Sequence, residues 1–268
     1  IPWLPRRSRM RILLAVSGGI DSMYLVHRAS DLFPGSSCAV AHCNFGLRGA
    51  ESDADEQFVR SYCADEGLQL HVARFDTKDY AARHGISIEM AARELRYGFF
   101  ASICGGSDDS PEAVAVAHNA DDNAETVLLH LTRGSGLQGL CGIEPRRESL
   151  VRPLLFATRA EVEAYAAENE IPFVTDETNA DTAFSRNRVR AQVMPALKAI
   201  NPQTETALLR LCETLREDET CLREQGQLLL ECAEFEETVG VYDREVLRAA
   251  PPAILRRAVR QMLPTAVN

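Results

Sequence analysis

The stretch Ala15-Val16-Ser17-Gly18-Gly19-Ile20-Asp21-Ser22 constrains the fold more than any other part of the chain. It follows an apolar run, residues 12–16, and precedes a segment with helical spacing, residues 23–29. An apolar run closed by glycines predicts a buried strand that turns tightly into a helix. Strand, glycine-rich turn and helix together make an anion cradle. The glycines let the backbone approach a phosphate, the N–H groups point inward, and the helix dipole favours negative charge. Ser17 and Ser22 add hydroxyl donors, and Asp21 is a candidate ligand for magnesium or for a cationic group. The loop has neither G-x-x-x-x-G-K-[ST] nor G-x-G-x-x-G spacing. In isolation a plain Ser/Gly turn reads the same way, so the rest of the chain has to decide.

Residues 38–43, 68–75 and 113–117 predict three more strands. Helices are expected over 51–66, 87–103 and 121–131, with Ser52 and Ser87 as N-caps. This alternation predicts an α/β fold with a doubly wound, mostly parallel sheet, whose ligands bind beyond the carboxyl ends of the strands. The motif-bearing turns at residues 17, 42 and 118 fall at such ends and point to one shared site. Residues 134–140 read as a loop, and 149–155 as a short strand closed by Pro153. Thr158 caps a helix to Asn169, and 184–200 is a further helix. Asn201-Pro202 reads as N-cap and first helical position. It marks the expected boundary between a catalytic region, 1–200, and an appended all-helical region, 201–268, whose leucines form a core stripe.

The 268 residues suffice for one large domain with an appendage, or for two. The net charge of −10 argues against a broad nucleic-acid footprint and confines any RNA contact to local basic patches. Arg186, Arg188 and Arg190 on one predicted helix, and the arginines of 244–260, are such patches. No apolar stretch approaches the length of a bilayer span, and the first residues carry no recognisable secretory signal. Eight scattered cysteines without a C-x-x-C pair predict free thiols in a reducing cytoplasm. The chain begins at Ile1 and is read as trimmed or as a fragment.

His118-Asn119-Ala120-Asp121-Asp122-Asn123-Ala124-Glu125-Thr126 opens the helix after the fourth strand. Asp122 and Glu125, three apart, and Asp121 and Glu125, four apart, can share a helix face. Acidity serving the helix dipole is the plainer reading. Four blocks in order then give the chain a family likeness: S-G-G-x-D-S at 17–22, and H-x-N-x-x-L-R-x-x-x-S-D at 42–53. The third is H-x-x-D-D-x-x-E-T followed by R-G-S-G-L-x-G-L at 118–140, and the fourth R-P-L-L, D-x-x-N and R-N-x-x-R at 152–190. Over about residues 11–200 the chain resembles the PP-loop ATP pyrophosphatases and, within them, the tRNA(Ile)-lysidine synthetases.

The resemblance implies conversion of the wobble cytidine of a CAU-anticodon isoleucine tRNA to lysidine. Free L-lysine is the amine, and ATP, with Mg2+, is split to AMP and pyrophosphate. It implies nucleotide contacts from Ser17, Gly18, Gly19, Ile20, Asp21, Ser22, Asn44, Arg48 and His118, with Asp21 also a magnesium ligand. It implies catalytic or lysine-recognition roles for Asp21, Arg93, Arg96, Asp122, Glu125, Arg186 and Arg190. Arg93 and Arg96 match an A-R-x-x-R-Y element. Arg133 and the 134–139 loop fall near the expected site, and Asp176 and Asn179 belong to the last block. Phe45 is a candidate for stacking on a flipped base, although the family commonly has histidine there. The family often carries further C-terminal domains, so a short form or a truncated chain is expected; a homodimer is left open. Two other readings stand beside this one. One is another PP-loop tRNA modifier such as a thiolase, which generally needs a cysteine pair or an iron–sulfur cluster. The other is a non-catalytic nucleotide-binding module.

Overall fold

Leu13 and Leu14 are wholly buried on opposite faces of one strand, and this two-sided burial explains the unbroken apolar run of residues 12–16. The computed structural model describes residues 10–104, 110–175, 185–231, 234–236, 239–241 and 244–262. In it β1 (Arg11–Ala15) leads through the glycine loop into α1 (Ile20–His27) and a single turn, α2 (Ala29–Leu32). There follow β2 (Ser37–Asn44), α3 (Ala50–Asp65), β3 (Gln69–Arg74), α4 (Thr77–His84), α5 (Ile88–Cys104), β4 (Ala113–Ala115) and α6 (Ala120–Thr132). Next come α7 (Leu137–Leu140), the hairpin β5 (Arg146–Arg147) and β6 (Leu150–Val151), and α8 (Arg159–Glu168). After α9 (Ser185–Arg188), a π-helical turn over Val189–Val193 joins α10 (Met194–Ile200), and the 28-residue α11 (Thr204–Glu231) follows. The tail holds β7 (Glu234–Glu236), β8 (Val239–Val241), α12 (Arg244–Ala249) and α13 (Pro252–Met262).

The main sheet runs β3-β2-β1-β4-β6-β5, parallel except for the antiparallel β5 edge. Chain order moves outward from β1 through β2 to β3, then returns to the other side of β1 at β4. The strand order therefore reverses between β1 and β4, and the loops leaving these strands diverge there. One face of the sheet packs Ile12 and Leu14 against Met23 of α1, Val59 of α3 and Val162 of α8. The other packs Leu13, Ala41 and Val114 against Phe100 of α5. A third cluster, Ala124, Val189 and Met194 with Leu208 beside it, fastens α6 to the π-helical turn, α10 and α11.

The structure refines several sequence expectations. The polar stretch at 77–84 forms α4, capped by Asp76, whose side chain accepts from the Asp79 amide. Gly49, at φ 58°, rather than Ser52, caps α3; the buried Ser52 hydroxyl accepts from the Arg48 amide. The expected strand at 149–155 is only two residues long, because Pro153 cannot continue a ladder. The 134–140 loop contains α7. Asn201 and Pro202 form a turn ahead of α11, with the Asn201 side chain accepting from the Gln203 amide. The tail expected to be all-helical also contains the β7–β8 hairpin. Thr158 caps α8 as expected, in a capping box with Glu161. Asp176 and Asn179 lie outside the described residues. No helix among the described residues is long and apolar enough to cross a membrane.

Glu56 of α3 ties the edge of the sheet together at only 1% exposure. Its carboxylate accepts from Asn44 Nδ2 at 3.0 Å, Arg60 Nε at 2.8 Å and Arg74 Nε at 2.7 Å. Burial works to raise its pKa, but hydrogen bonds from Arg74, Asn44 and Arg60 pull it down to about 2. A depressed carboxyl stabilises the fold above its unfolded pKa, and that stabilisation is lost as pH falls through the folded value. Glu56→Gln is expected to cost about 2 kcal/mol at neutral pH, a modest figure because Arg60 and Arg74 reach solvent. In denaturant titrations the gap from the unmodified protein should close between pH 4.5 and about 2.

Candidate functional site

The loop after β1 is drawn together by one hydroxyl. The Ser22 Oγ, buried on the first turn of α1, accepts from the amides of Ser17 and Gly18, both at 3.2 Å, and donates to the Gly19 carbonyl at 2.8 Å. Gly18 adopts φ +96°, a conformation that strains any residue with a Cβ. Its carbonyl accepts from the Val174 amide at 2.9 Å. The Ser17 and Gly18 amides, expected to point at an anion, are thus engaged by Ser22 within the loop.

Asp21 faces the β4 side. Its carboxylate accepts from Asn119 Nδ2 at 2.9 Å and from Arg159 Nη1 at 2.5 Å. Burial raises its pKa, with Arg159 and Asn119 opposing. Asn119 meanwhile caps α6 in a box with Asp122, whose side chain accepts from the Asn119 amide at 3.1 Å. One asparagine therefore couples the glycine loop to the acidic helix across 98 residues of sequence.

On α6 the carboxylates divide. Asp121 turns away, accepting from the Arg159 amide at 2.7 Å with Lys198 Nζ 3.7 Å off. Asp122 and Glu125 converge on Arg190, whose guanidinium grips Glu125 through Nε at 2.6 Å and Nη2 at 3.1 Å and lies 3.6 Å from Asp122. Arg186 stands 3.7 Å from Glu125 and donates to the Thr126 hydroxyl at 2.9 Å. Glu125 is 1% exposed; burial raises its pKa and outweighs Arg190. The four-residue spacing of Arg186 and Arg190 does place both on the carboxylate face.

Two cavities open at the β1–β4 divergence. The smaller, about 300 Å3, is lined by loop residues Ser17, Gly19, Asp21 and Ser22, with Tyr97 and His118 opposite. The buried His118 Nδ1 has no hydrogen-bond partner among the described residues. Burial lowers its pKa to about 4, with Asp122 opposing and Arg152, Arg186 and Arg96 adding to the fall, so the ring is neutral at pH 7. The larger cavity, about 1150 Å3, also reaches Ser17 and is studded with Arg48, Arg93, Arg96, Arg133, Arg186 and Lys78. This is the local basic surface that an acidic chain needs for a polyanion. Arg96 lies 5.2 Å from the Phe45 ring centroid and Arg93 5.0 Å from Tyr97; Phe45 stacks on Phe75 at 5.8 Å. Two expected nucleotide contacts are engaged within the protein. Asn44 donates to Asp53 and Glu56 and accepts from the Gly46 amide, and Arg48 pairs with Asp55. Both line the larger cavity.

Sequence reading missed Arg159, Lys198 and the bond from Asn119 to Asp21, because Asp21 and Asp121 lie far from these residues along the chain. The buried Arg152 was visible as the first residue of R-P-L-L.

A six-stranded sheet with a Ser-Gly-Gly turn at the point of strand reversal defines an α/β protein built to bind an anionic ligand there. A family model described as PP-loop domain matches residues 3–197, and the chain belongs to that family. It is 50% identical over 211 residues to tRNA(Ile)-lysidine synthase of Porphyromonas gingivalis, covering 78% of this chain and 46% of that one. It is 39% identical over 265 residues to the protein of the same name from Dehalococcoides mccartyi, covering 94% and 56%. The chain spans about half the length of the curated relatives it matches. Among solved structures, the U34-tRNA thiolase NcsA from Methanococcus maripaludis superposes with a TM-score of 0.63 at 17% identity, over 79% of this chain and 74% of that one. This is a likeness of fold.

Arg190→Ala should leave Glu125 buried with only the more distant Arg186 and cost about 2 kcal/mol at pH 8, less than a fully buried pair because Arg190 reaches solvent. A carboxyl whose folded pKa is raised destabilises the fold as pH climbs past its unfolded value. Melting curves should therefore show the variant closer to the unmodified protein at pH 5 than at pH 8.

Proposed function

We propose that the protein joins L-lysine to C2 of the wobble cytidine of a CAU-anticodon isoleucine tRNA, using ATP. The observation that carries this reading is the meeting of Asp122 and Glu125 with Arg186 and Arg190 on α6, coupled through Asn119 to the glycine loop. The likeness to lysidine synthases supports it.

ATP phosphates lie at the loop of residues 17–22, where the first amides and the dipole of α1 stabilise negative charge. The neutral His118 offers a hydrogen bond on the opposite wall. The cytidine enters the larger cavity, where Phe45 and the arginines provide stacking surfaces. Cytidine O2 attacks the α-phosphorus, the bond to the bridging oxygen breaks, and pyrophosphate leaves. The ε-amine of lysine then attacks C2, the C2–O bond to the adenylyl group breaks, and AMP leaves. Lysine arrives as an ammonium; Asp122 and Glu125 bind it and take its proton. Arg186 and Arg190 cover that pair in this structure, and they release it by turning toward the phosphate charge.

Magnesium is usually held by one or two carboxylates plus substrate phosphates. Both oxygens of Asp21 are taken, by Asn119 and Arg159, so the residues as placed do not fit it as a direct magnesium ligand. No step here runs through the metal. Cys43 lines both cavities, but burial pushes its thiol up to about 11, which leaves little thiolate for sulfur transfer.

Radiolabelled lysine should enter unmodified isoleucine tRNA only when ATP is present. Asp122→Asn should lower the rate by at least ~100-fold while leaving adenylylation of the tRNA measurable without lysine. No incorporation by the folded, unmodified protein defeats the proposal.

A further inference from the structure

Arg159 sits where a helix least favours it. It is the first residue of α8, directly after the cap Thr158, and a cation there opposes the helix dipole. Its local partner, Glu163, accepts from Nε at 2.7 Å but is 56% exposed, and such a pair offsets little. A residue that breaks a local rule with so small a local gain takes its place from the tertiary structure. Its Nη1 donates to Asp21 at 2.5 Å, across 138 residues of sequence. Its backbone is fixed where α8 meets α6. There the Arg159 amide donates to Asp121 at 2.7 Å, and the Ala120 amide to the Ala157 carbonyl at 2.8 Å.

Asp21 lines the smaller cavity together with Ser17, Gly19 and Ser22, whereas Arg159 lines neither that cavity nor the larger one. The carboxylate therefore stands between the guanidinium and the place of the phosphates. A bare carboxylate there repels a polyphosphate, and partial burial makes the repulsion stronger than it is in water. Asp122 adds a second negative charge nearby. Among the cations acting on Asp21, Arg159 comes first and Arg190 second, and Arg190 is already committed to Glu125. Removing Arg159 leaves Asp21 to compete with Glu125 for that one guanidinium.

We propose that Arg159 is a positioning residue that masks the charge of Asp21, so that the glycine loop presents no bare carboxylate to the phosphates of a nucleotide. The loop aspartate then serves as the partner of an arginine rather than as a magnesium ligand, in keeping with the occupation of both its oxygens. The inference deepens the reading given above and rests on its nucleotide half alone, the binding of ATP at residues 17–22.

Calorimetric titration of the full chain with ATP, in buffer containing magnesium, tests this. Arg159→Met should weaken ATP about tenfold at about 50 mM salt, and the deficit should shrink to about threefold at about 500 mM, where ions screen the exposed carboxylate. Arg159→Lys, which keeps the charge, should recover most of the affinity. The decisive variant combines Arg159→Met with Asp21→Asn. The charge that needed masking is then gone, and ATP affinity should return to within about threefold of the unmodified protein. In lysine incorporation, Arg159→Met should raise the KM for ATP about tenfold and leave the KM for lysine unchanged. Circular dichroism checks that each variant is folded. Should Arg159→Met not fold, Asp21→Asn alone carries the test: an uncompensated Arg159 beside the phosphates should tighten ATP about threefold, and a loss overturns the inference. Three further results overturn it: unchanged ATP binding by folded Arg159→Met, a deficit that salt does not alter, or a double variant weaker than Arg159→Met alone. The last would make Asp21 itself a ligand for metal or phosphate. No ATP binding by the unmodified chain defeats the nucleotide reading, whereas ATP binding that is indifferent to Arg159 defeats this inference and leaves that reading standing.

Discussion

The constraint on which the structure depends is the burial of β1 on both faces between β2 and β4. A parallel strand covered on both sides requires crossover helices, and the connections leaving β1 toward β2 and β4 toward β6 run in opposite directions, which forces their loops apart. The gap that results is lined by the glycine loop on one side and by the turn before α6 on the other. The charged groups of the candidate site are arranged around that gap. The apolar run of residues 12–16 and the site are therefore one feature seen at two scales.

Around the gap, charges are paired within the protein. Asp21 is matched by Arg159, Glu125 by Arg190, and Arg48 by Asp55. Polyanionic phosphates compete directly for the arginines of these pairs. A ligand that draws Arg190 away exposes a buried carboxylate, and a cation then has a reason to enter. In the proposed reaction, binding of the anion and of the amine would be linked through these shared partners, as reciprocal coupling requires. The Asn119 bridge joins Asp21 to the start of α6, and the π-helical turn carries Arg190.

Local patterns made much of the fold legible. The helix starts at Ser87 and Thr158, strands β1 to β4 and the loop of residues 17–22 follow from capping, periodicity and turn chemistry. The failures were local as well. At α4 a polar helix carries little periodic signal, at Gly49 a left-handed glycine displaced the serine cap, and at β6 pairing stops at Pro153. The residues expected on single motifs, Asp122, Glu125, Arg186 and Arg190, meet in the structure. The roles of Arg159 and Asn119 were not legible, because their significance lies in Asp21, which is brought to them by folding.

The sequence by itself determined the sheet, the anion cradle and the grouping of carboxylates and arginines on two helices, since each depends on spacings of a few residues. Only the tertiary structure decided which charges meet. It turned Asp121 away from Glu125 and set both Asp21 oxygens against Asn119 and Arg159. The physical reason is that the strength of a charge depends on its solvent exposure and on partners dozens of residues away, and neither quantity is written in local spacing.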